Sequence, residues 1–352
     1  MSNTLFFTLH GTWLSLESNN DTFLAYIQEQ LSAWLSPKVE SPDIEIQLHW
    51  GRELIPAHVT LGSYRRLGRR LLMGDDEIIQ PEFVNLPGLQ LHTTLARTGL
   101  SIEAAFRVPS GIRSRLLPMF MSKPNQERIY ATLVYYLIYF PLLWHIERTR
   151  QWYPLHASAV SWPQGAVILT GLGGVGKSTL TLAFLSDSSA HLLSENLILH
   201  DENLVYAFPE PIHLDNRSRK LLNHLNGRLK PTGQAYSHSR QSYEVPQSVR
   251  VQSAKPRIFC MLRQGQELGL RLVPPQKALE IILSSDMLAR EVNEYAQQAA
   301  ALNLLLPKTG RLQQRIEVLH KLLKKVNCYE LTIRPGESLE RATALVQGRL
   351  GW

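Results

Sequence analysis

The sequence predicts an α/β domain over residues 151–352, preceded by a mixed α+β region over residues 1–150. Three observations carry this reading. Ala166-Val167-Ile168-Leu169-Thr170 is a compact apolar run, the look of a strand buried on both faces. A glycine-rich stretch, Gly171 to Ser178, follows it at once. Thr179 to Leu185 then has the spacing of a helix.

Other elements follow in chain order. Phe23, Leu24, Ile27, Leu31 and Trp34 place a helix over Thr22–Leu35, with Asn20 or Asp21 as its cap. Ile44 to Trp50 alternates apolar with polar, as a half-buried strand does, and Leu89 to His92 suggests another. Ile129 to Ile146 carries no formal charge. It is slightly short for a membrane span, holds four tyrosines and contains Pro141, so it reads as a buried helix. The first 150 residues offer no recognisable catalytic constellation. The texture changes after Tyr153-Pro154. Ala157–Val160 is a strand, Trp162 to Gly165 a turn, and Leu192–Leu199 one further strand. A helix over Arg311–Val326, a strand over Tyr329–Ile333 and a helix over Ser338–Gly348 close the chain.

The 352 residues suggest about two domains. With 44% hydrophobic and 19% charged residues, a disordered chain is excluded. Cys260 and Cys328 form no metal or disulfide framework, and Met1 to Phe7 lacks a signal-peptide pattern, so a cytoplasmic protein is expected. The net charge of +7 favours anionic ligands. Nine Lys or Arg lie between Asn216 and Arg257 against one acid, Glu244, and Arg65, Arg66, Arg69 and Arg70 form a second cluster. The middle of the first segment, His224–Pro246, reads as a mobile loop beside the glycine stretch, either a solvated insertion or a lid. Nucleic-acid binding is disfavoured, because no stacking-aromatic or recognition-helix pattern accompanies the charge.

Gly171-Leu172-Gly173-Gly174-Val175-Gly176-Lys177-Ser178 matches the P-loop pattern in its strand–loop–helix frame. Gly171, Gly173, Gly174 and Gly176 let backbone N–H groups, Val175 among them, turn inward on phosphates. The helix N-terminus adds positive dipole. Lys177 would reach the β- and γ-phosphates, Ser178 would bind Mg²⁺, and Thr179 would add a phosphate contact. The expected ligands are ATP and Mg²⁺, with no base-reading motif to separate ATP from GTP.

Leu155-His156-Ala157-Ser158-Ala159-Val160 precedes the loop strand, and Leu193-Ser194-Glu195-Asn196-Leu197 follows the loop helix. Together these resemble the HPr kinase/phosphorylase-like family, which places a His-Ala or His-Gly strand start before the P-loop and an acidic pair after it. Pro209-Glu210-Pro211-Ile212-His213-Leu214 is similar to a proline-containing segment of HPr-kinase-related proteins from peptide-modification gene clusters. Cys328-Tyr329-Glu330-Leu331 and the Glu340–Leu345 helix are similar too. The resemblance covers about residues 150–352 and only weakly the first 130.

The resemblance implies a P-loop α/β domain related to phosphoenolpyruvate carboxykinase. It implies transfer of phosphate from ATP to a serine or related hydroxyl of a peptide or protein, and it allows a homo-oligomer. His156 would sit near the γ-phosphate and pair with the catalytic acid, while the acidic pair would bind magnesium and accept the hydroxyl proton. Here that pair is Glu195-Asn196, and Asn is no general base near pH 7. His156, Lys177, Glu195 and Asn196 are the candidate catalytic residues, with Ser178 and Glu195 as metal ligands. Glu195 would serve both tasks, or Asp201 or Glu202 would substitute. A nucleotide-binding regulatory module without transfer, an ATP hydrolase and a small-molecule kinase are the alternatives. Residues 1–150 are a candidate for acceptor recognition.

Overall fold

Alternation between two faces decides where the first strands sit. β1 (Asn3–Leu9) and β2 (Thr12–Ser18) pair antiparallel, and β2 buries every second residue. His10 and Gly11, with φ of 51° and 72°, form the two-residue turn between them, whose left-handed backbone conformation matches the right-handed twist of the strands. β3 (Ile44–Trp50) runs parallel to β2, which requires a crossover. The helix α1 (Asp21–Gln30) lies in that connection, and Asn20 caps it by accepting from the Phe23 N–H. β4 (Arg65–Gly68), β5 (Leu71–Met73), β6 (Glu77–Gln80), β7 (Leu89–Leu95) and β8 (Leu100–Phe106) complete an eight-stranded sheet. Its order is β1-β2-β3-β8-β7-β6-β5-β4. The Arg65, Arg66, Arg69 and Arg70 cluster therefore falls on the edge strand β4 and its turn, where exposed charge blocks pairing with another sheet.

This computed structural model describes residues 3–54, 64–96, 99–108, 123–220, 225, 227–237, 240–306 and 311–351. The chain divides into two units, one of residues 1–146, 235–238 and 297–309, the other of residues 147–234, 239–296 and 310–352. The late stretch is tied into the first unit by paired side chains. Trp144 Nε1 donates to Asn303 Oδ1 at 2.9 Å, and the amides of Gln80 and Gln298 bond reciprocally at 3.0 and 2.7 Å.

The uncharged stretch forms α2 (Lys123–Val134) and α3 (Phe140–Arg150), joined by one π-helical turn, Tyr135–Tyr139. Pro141 explains that turn. It has no N–H to give, and its ring would crowd the preceding turn of a regular helix. The Phe140 N–H bonds instead to the Tyr135 carbonyl, five residues back. The helix Asn125–Arg150 is long and apolar enough to cross a membrane, but 78% of its most apolar window is buried inside the protein.

The second unit is built on a larger mixed sheet. Its strands are β9 (Tyr153–Trp162), β10 (Gly165–Thr170), β11 (His191–Ser194), β12 (Leu197–His200) and β13 (Val205–Ala207). β14 (Ile212–Asp215), β15 (Lys230–Ser237) and β16 (Arg240–Glu244) make a separate small sheet in the order β14-β16-β15. β17 (Ser253–Ala254), β18 (Pro256–Gln264), β19 (Gly269–Leu272) and β20 (Asn327–Ile333) complete the larger one. Its order is β17-β13-β12-β9-β10-β18-β20-β19, with β11 also on β9. The parallel pairs among these strands are β10 with β18 and β18 with β20.

The run Ala166–Leu169 of β10 is apolar without a break because both faces of that strand are covered. Val167 and Leu169 of β10 join the core that contains Leu180 and Phe184 of α4 (Lys177–Phe184) and Ala342 and Val346 of α8 (Leu339–Gln347). Ala166 and Ile168 join the opposite core, with Ala278 and Ile282 of α5 (Pro275–Leu288) and Leu319 and Leu322 of α7 (Arg311–Leu323). In sequence, α6 (Arg290–Asn303) lies between α5 and α7.

The basic segment is not the mobile loop that its composition suggests. Residues 230–237 and 240–244 are strands, while residues 221–224, 226, 238 and 239 lie outside the described residues. Two of its arginines do structural work. The Arg228 guanidinium donates to the carbonyls of Leu185 at 2.7 Å, of Asp187 at 2.5 Å and of Ala190, closing the chain just beyond α4. Arg250 Nε donates to the Val245 carbonyl at 2.8 Å.

A buried charged trio ties α3, α6 and α7 together. Glu147, 3% exposed, accepts from the Tyr295 hydroxyl at 2.7 Å and from Arg315 Nη2 at 2.5 Å. The Arg315 guanidinium also lies over the Tyr295 ring, 5.0 Å from its centre. Removing one partner leaves the other charge buried, which typically costs about 3–5 kcal/mol. Arg315→Met should therefore lower unfolding free energy by about that much in a urea titration. A loss below about 1 kcal/mol, the scale of an exposed pair, would show that water reaches Glu147.

Candidate functional site

The glycine stretch links the C-terminal end of β10 to the start of α4, as its spacing predicts. Gly171 has φ of 137°, and a Cβ there would lie 2.6 Å from the Leu262 carbonyl oxygen of β18, so only glycine fits. Gly176, φ 105°, is the residue before α4 and offers no side-chain cap to its free amides. A side chain at Gly173, Gly174 or Gly176 would meet nothing within 4 Å, so this arc of backbone is open on its outer side. Ser178 and Thr179 are half-buried in the first turn of α4.

Lys177 is 8% exposed, and its Nζ donates to the Gly171 carbonyl at 2.7 Å and the Leu172 carbonyl at 3.2 Å. The amine thus curls back over its own loop. Burial lowers its pKa, against the opposing influence of Glu195, Glu291 and Asp286. The sequence reading anticipated the first of these carboxylates and missed the other two.

β9 places His156. It pairs with β10 only as far as Ala157, opposite Thr170, and β10 ends there. One residue further along β9, the backbone of His156 faces the space beyond that end. Its carbonyl accepts from Thr170 Oγ1 at 3.3 Å, and its N–H donates to Asp286 Oδ1 at 3.2 Å. N–H and C=O of one strand residue point to the same side. The Asp286 carboxylate therefore fills the ladder position that β10 vacates, beside Gly171. Asp286 comes from the last turn of α5, where backbone carbonyls make the surroundings negative. Burial raises its pKa to about 7, although the His156 N–H, Arg315 and Lys177 all favour its charged form.

The His156 ring is 8% exposed, and its Nδ1 is buried without a hydrogen bond. Burial first, and then the nearby Lys177 charge, lower its pKa to about 4, so the ring is neutral at pH 7.

Glu195 and Asn196 do not lie within one strand. β11 and β12 are separate, and the ladder on β9 lapses at these two residues, resuming at Leu197 opposite His156. A shift of register between Leu192 and Ser194 precedes the gap. Irregularities of this kind re-aim side chains. Asn196 Nδ2 donates to Glu210 Oε2 at 3.3 Å, so the amide at the second position of the pair faces a carboxylate from elsewhere in the chain. Ser194 arranges this by bonding both the N–H and the carbonyl of Phe208, at 2.6 and 3.0 Å.

Two substitutes named from sequence are otherwise engaged. Asp201 accepts from the Asn203 and Leu204 amides and the Tyr206 hydroxyl, at 2.6, 2.7 and 2.7 Å, in the turn between β12 and β13. Glu202 pairs with Lys321 on the surface at 3.4 Å. The other histidines hold local contacts. His145 lies 3.7 Å from Asp43, His191 and His200 approach backbone carbonyls, and His213 bonds Ser242. Among the described residues, no group of three or more His, Cys, Asp or Glu is arranged to hold a metal by itself.

No family model matches the chain. No curated protein matches it either. Among solved structures it is similar to the Hpr(Ser) kinase/phosphatase from Coxiella burnetii, at 13% identity, covering 56% of this chain and 96% of that one. The TM-score is 0.26, too low for the likeness to bear on the site.

Two outcomes test this geometry. Gly171→Ala should cost about 2 kcal/mol or more in denaturant unfolding, from backbone strain and the clash with Leu262. Gly173→Ala, with open space around it, should stay within about 0.5 kcal/mol of the wild type. The second concerns pH. Because Asp286 is raised from 3.8 to about 7, folding favours its neutral form; that stabilisation is complete below pH 3.8 and is lost as pH rises through 7. Asp286→Asn has no charge to bury. Its stability relative to the wild type should grow between pH 4 and 8, by at most about 4 kcal/mol. His156 acts oppositely, losing stability as pH falls from 6.5 through about 4, and the substitution leaves that dependence in place. A pH-independent difference would contradict the placement of Asp286.

Proposed function

We propose that this protein binds ATP with Mg²⁺ in the cytoplasm and transfers the terminal phosphoryl group to a serine or related hydroxyl of a peptide or protein. The observation that carries this reading is the glycine arc at the end of β10, with Lys177 folded onto it and the carboxylates of Glu195, Asp286 and Glu291 in range of its charge. The arc has open space where side chains would stand, and it is followed by the amides that open α4. A triphosphate fits this donor set.

The backbone amides from Gly173 to Thr179 would hold the phosphates, and Lys177 would exchange its loop carbonyls for phosphate oxygens. Ser178 and Glu195 would hold magnesium. A magnesium ion needs few protein ligands when it also binds phosphate, so the absence of a three-residue cluster among the described residues fits. The ion supplies charge neutralisation on the transferring group. The neutral His156 ring, buried within range of the Lys177 charge, would help keep water out. Cys260 and Cys328 are buried free thiols, in keeping with a reducing compartment.

The contact between Asn196 and Glu210 favours a second reading, a nucleotide-binding regulatory module without transfer. An amide held on a carboxylate has no capacity to take a proton.

Lys177→Ala should weaken Mg·ATP binding roughly 10- to 100-fold by calorimetry, the scale of a lost charged hydrogen bond. A wild type that shows no binding at millimolar Mg·ATP sinks both readings. Asn196→Asp would set two carboxylates together at Glu210, so it should not raise any labelling of serine peptides from γ-labelled ATP. A gain in labelling would favour the inactive-module reading of the natural chain.

A further inference from the structure

We propose that Asp286 is the proton acceptor for the hydroxyl that receives the phosphoryl group. This rests on the kinase reading above and deepens it. The strand position after the loop that would ordinarily carry the base holds Asn196, and Glu195 is assigned to magnesium. Asp286 reaches the same space from the other side of the sheet. It stands at the vacated end of β10, next to Gly171, whose carbonyl holds Lys177.

Its two oxygens have different circumstances. Oδ1 is fixed by the His156 N–H, which sets the direction of the carboxyl group. No hydrogen bond to a described residue engages Oδ2. That oxygen is the one available to a substrate hydroxyl. The charges that face Asp286 are Lys177 from α4 and Arg315 from α7, with the backbone N–H of His156 from β9. Glu195 and Glu291 act on the same Lys177. A carboxyl group near 7 is well matched to accepting a proton at neutral pH. Among the other groups, the His156 ring is a far weaker base at about 4, and Glu210 receives the Asn196 amide.

The step balances. The hydroxyl oxygen forms a bond to the γ-phosphorus, and the bond from that phosphorus to the β,γ-bridging oxygen breaks. The electron pair leaves with ADP. The hydroxyl proton passes to Asp286 Oδ2, then to solvent after release.

A second consequence needs no acceptor. When Lys177 turns onto phosphate, the cation that favours ionised Asp286 is neutralised and an anion arrives. The proton affinity of Asp286 then rises, so at pH 7.5 part of the population takes up a proton on nucleotide binding, while the ionised part remains the form that accepts the hydroxyl proton. Calorimetry at pH 7.5 with Mg²⁺ and the β,γ-imido analogue of ATP, in buffers of different ionisation enthalpy, reads that uptake directly. The wild type should take up protons. Asp286→Asn keeps an oxygen for the His156 N–H, so it should bind within roughly threefold of wild-type affinity and lose most of the uptake. His156→Gln should retain it. With γ-labelled ATP and an arrayed library of serine-bearing peptides, Asp286→Asn should label about 100-fold less or worse at unchanged affinity, and Asp286→Glu should recover part of that loss. Undiminished proton uptake, or undiminished labelling, in Asp286→Asn overturns this assignment alone. A wild type that binds the analogue yet labels no peptide overturns the transfer reading and this role with it.

Discussion

β10 ends at Thr170 while β9 runs on to Tyr153, and the step between them organises the site. Past the end of β10, residues Tyr153 to His156 keep β12 on one side and, among the described residues, have no strand on the other. Backbone groups exposed at such a step must be satisfied or lose about 1–3 kcal/mol each when buried. Thr170 Oγ1 satisfies one and Asp286 the other. The same step gives the glycine loop room to leave the sheet, and the close approach of Gly171 to Leu262 of β18 fixes the angle at which it leaves. Lys177, His156 and Asp286 are thus brought together by the ending of a single strand.

A second layer of charge supports this arrangement. Arg315 is held by Glu147 and Tyr295 and still acts on both Asp286 and His200. The trio fixes a cation behind the site, and that cation opposes the burial that raises Asp286. Without it, Asp286 would sit further above the carboxylate range. The proton affinity at the front of the sheet is therefore set in part by a packing decision made among α3, α6 and α7.

How much of this was legible follows from the range of each signal. The strand, loop and helix around Gly171–Ser178 are local, and the unbroken apolar run Ala166–Leu169 of β10 announces burial on two faces. The cap at Asn20 and the strand over Ile44–Trp50 are local as well. Asp286 was invisible because its partner lies 130 residues away and nothing near it in sequence marks a site. Glu210 was noticed only as part of a proline-flanked segment, and its approach to Asn196 depends on Ser194 gripping Phe208. The run Leu192–Leu199 looked continuous because its apolar residues conceal the gap at Glu195-Asn196. The segment rich in Ser, Gln and Gly reads as loop by composition, yet strand pairing and the Arg228 cap impose order on much of it. Composition reports what a chain prefers alone, and here tertiary partners decide otherwise.

The interleaving of the two units bears on inheritance. Trp144 and Gln80 find their partners in Asn303 and Gln298, from a stretch of chain that follows most of the second unit. A recombination event that carried off the first 146 residues would leave these amide contacts behind and strip α2 and α3 of part of their cover. The front portion is therefore a poor candidate for exchange between genes. Changes to its surface have to arise by substitution in place, under the constraint of the same chain that builds the glycine loop.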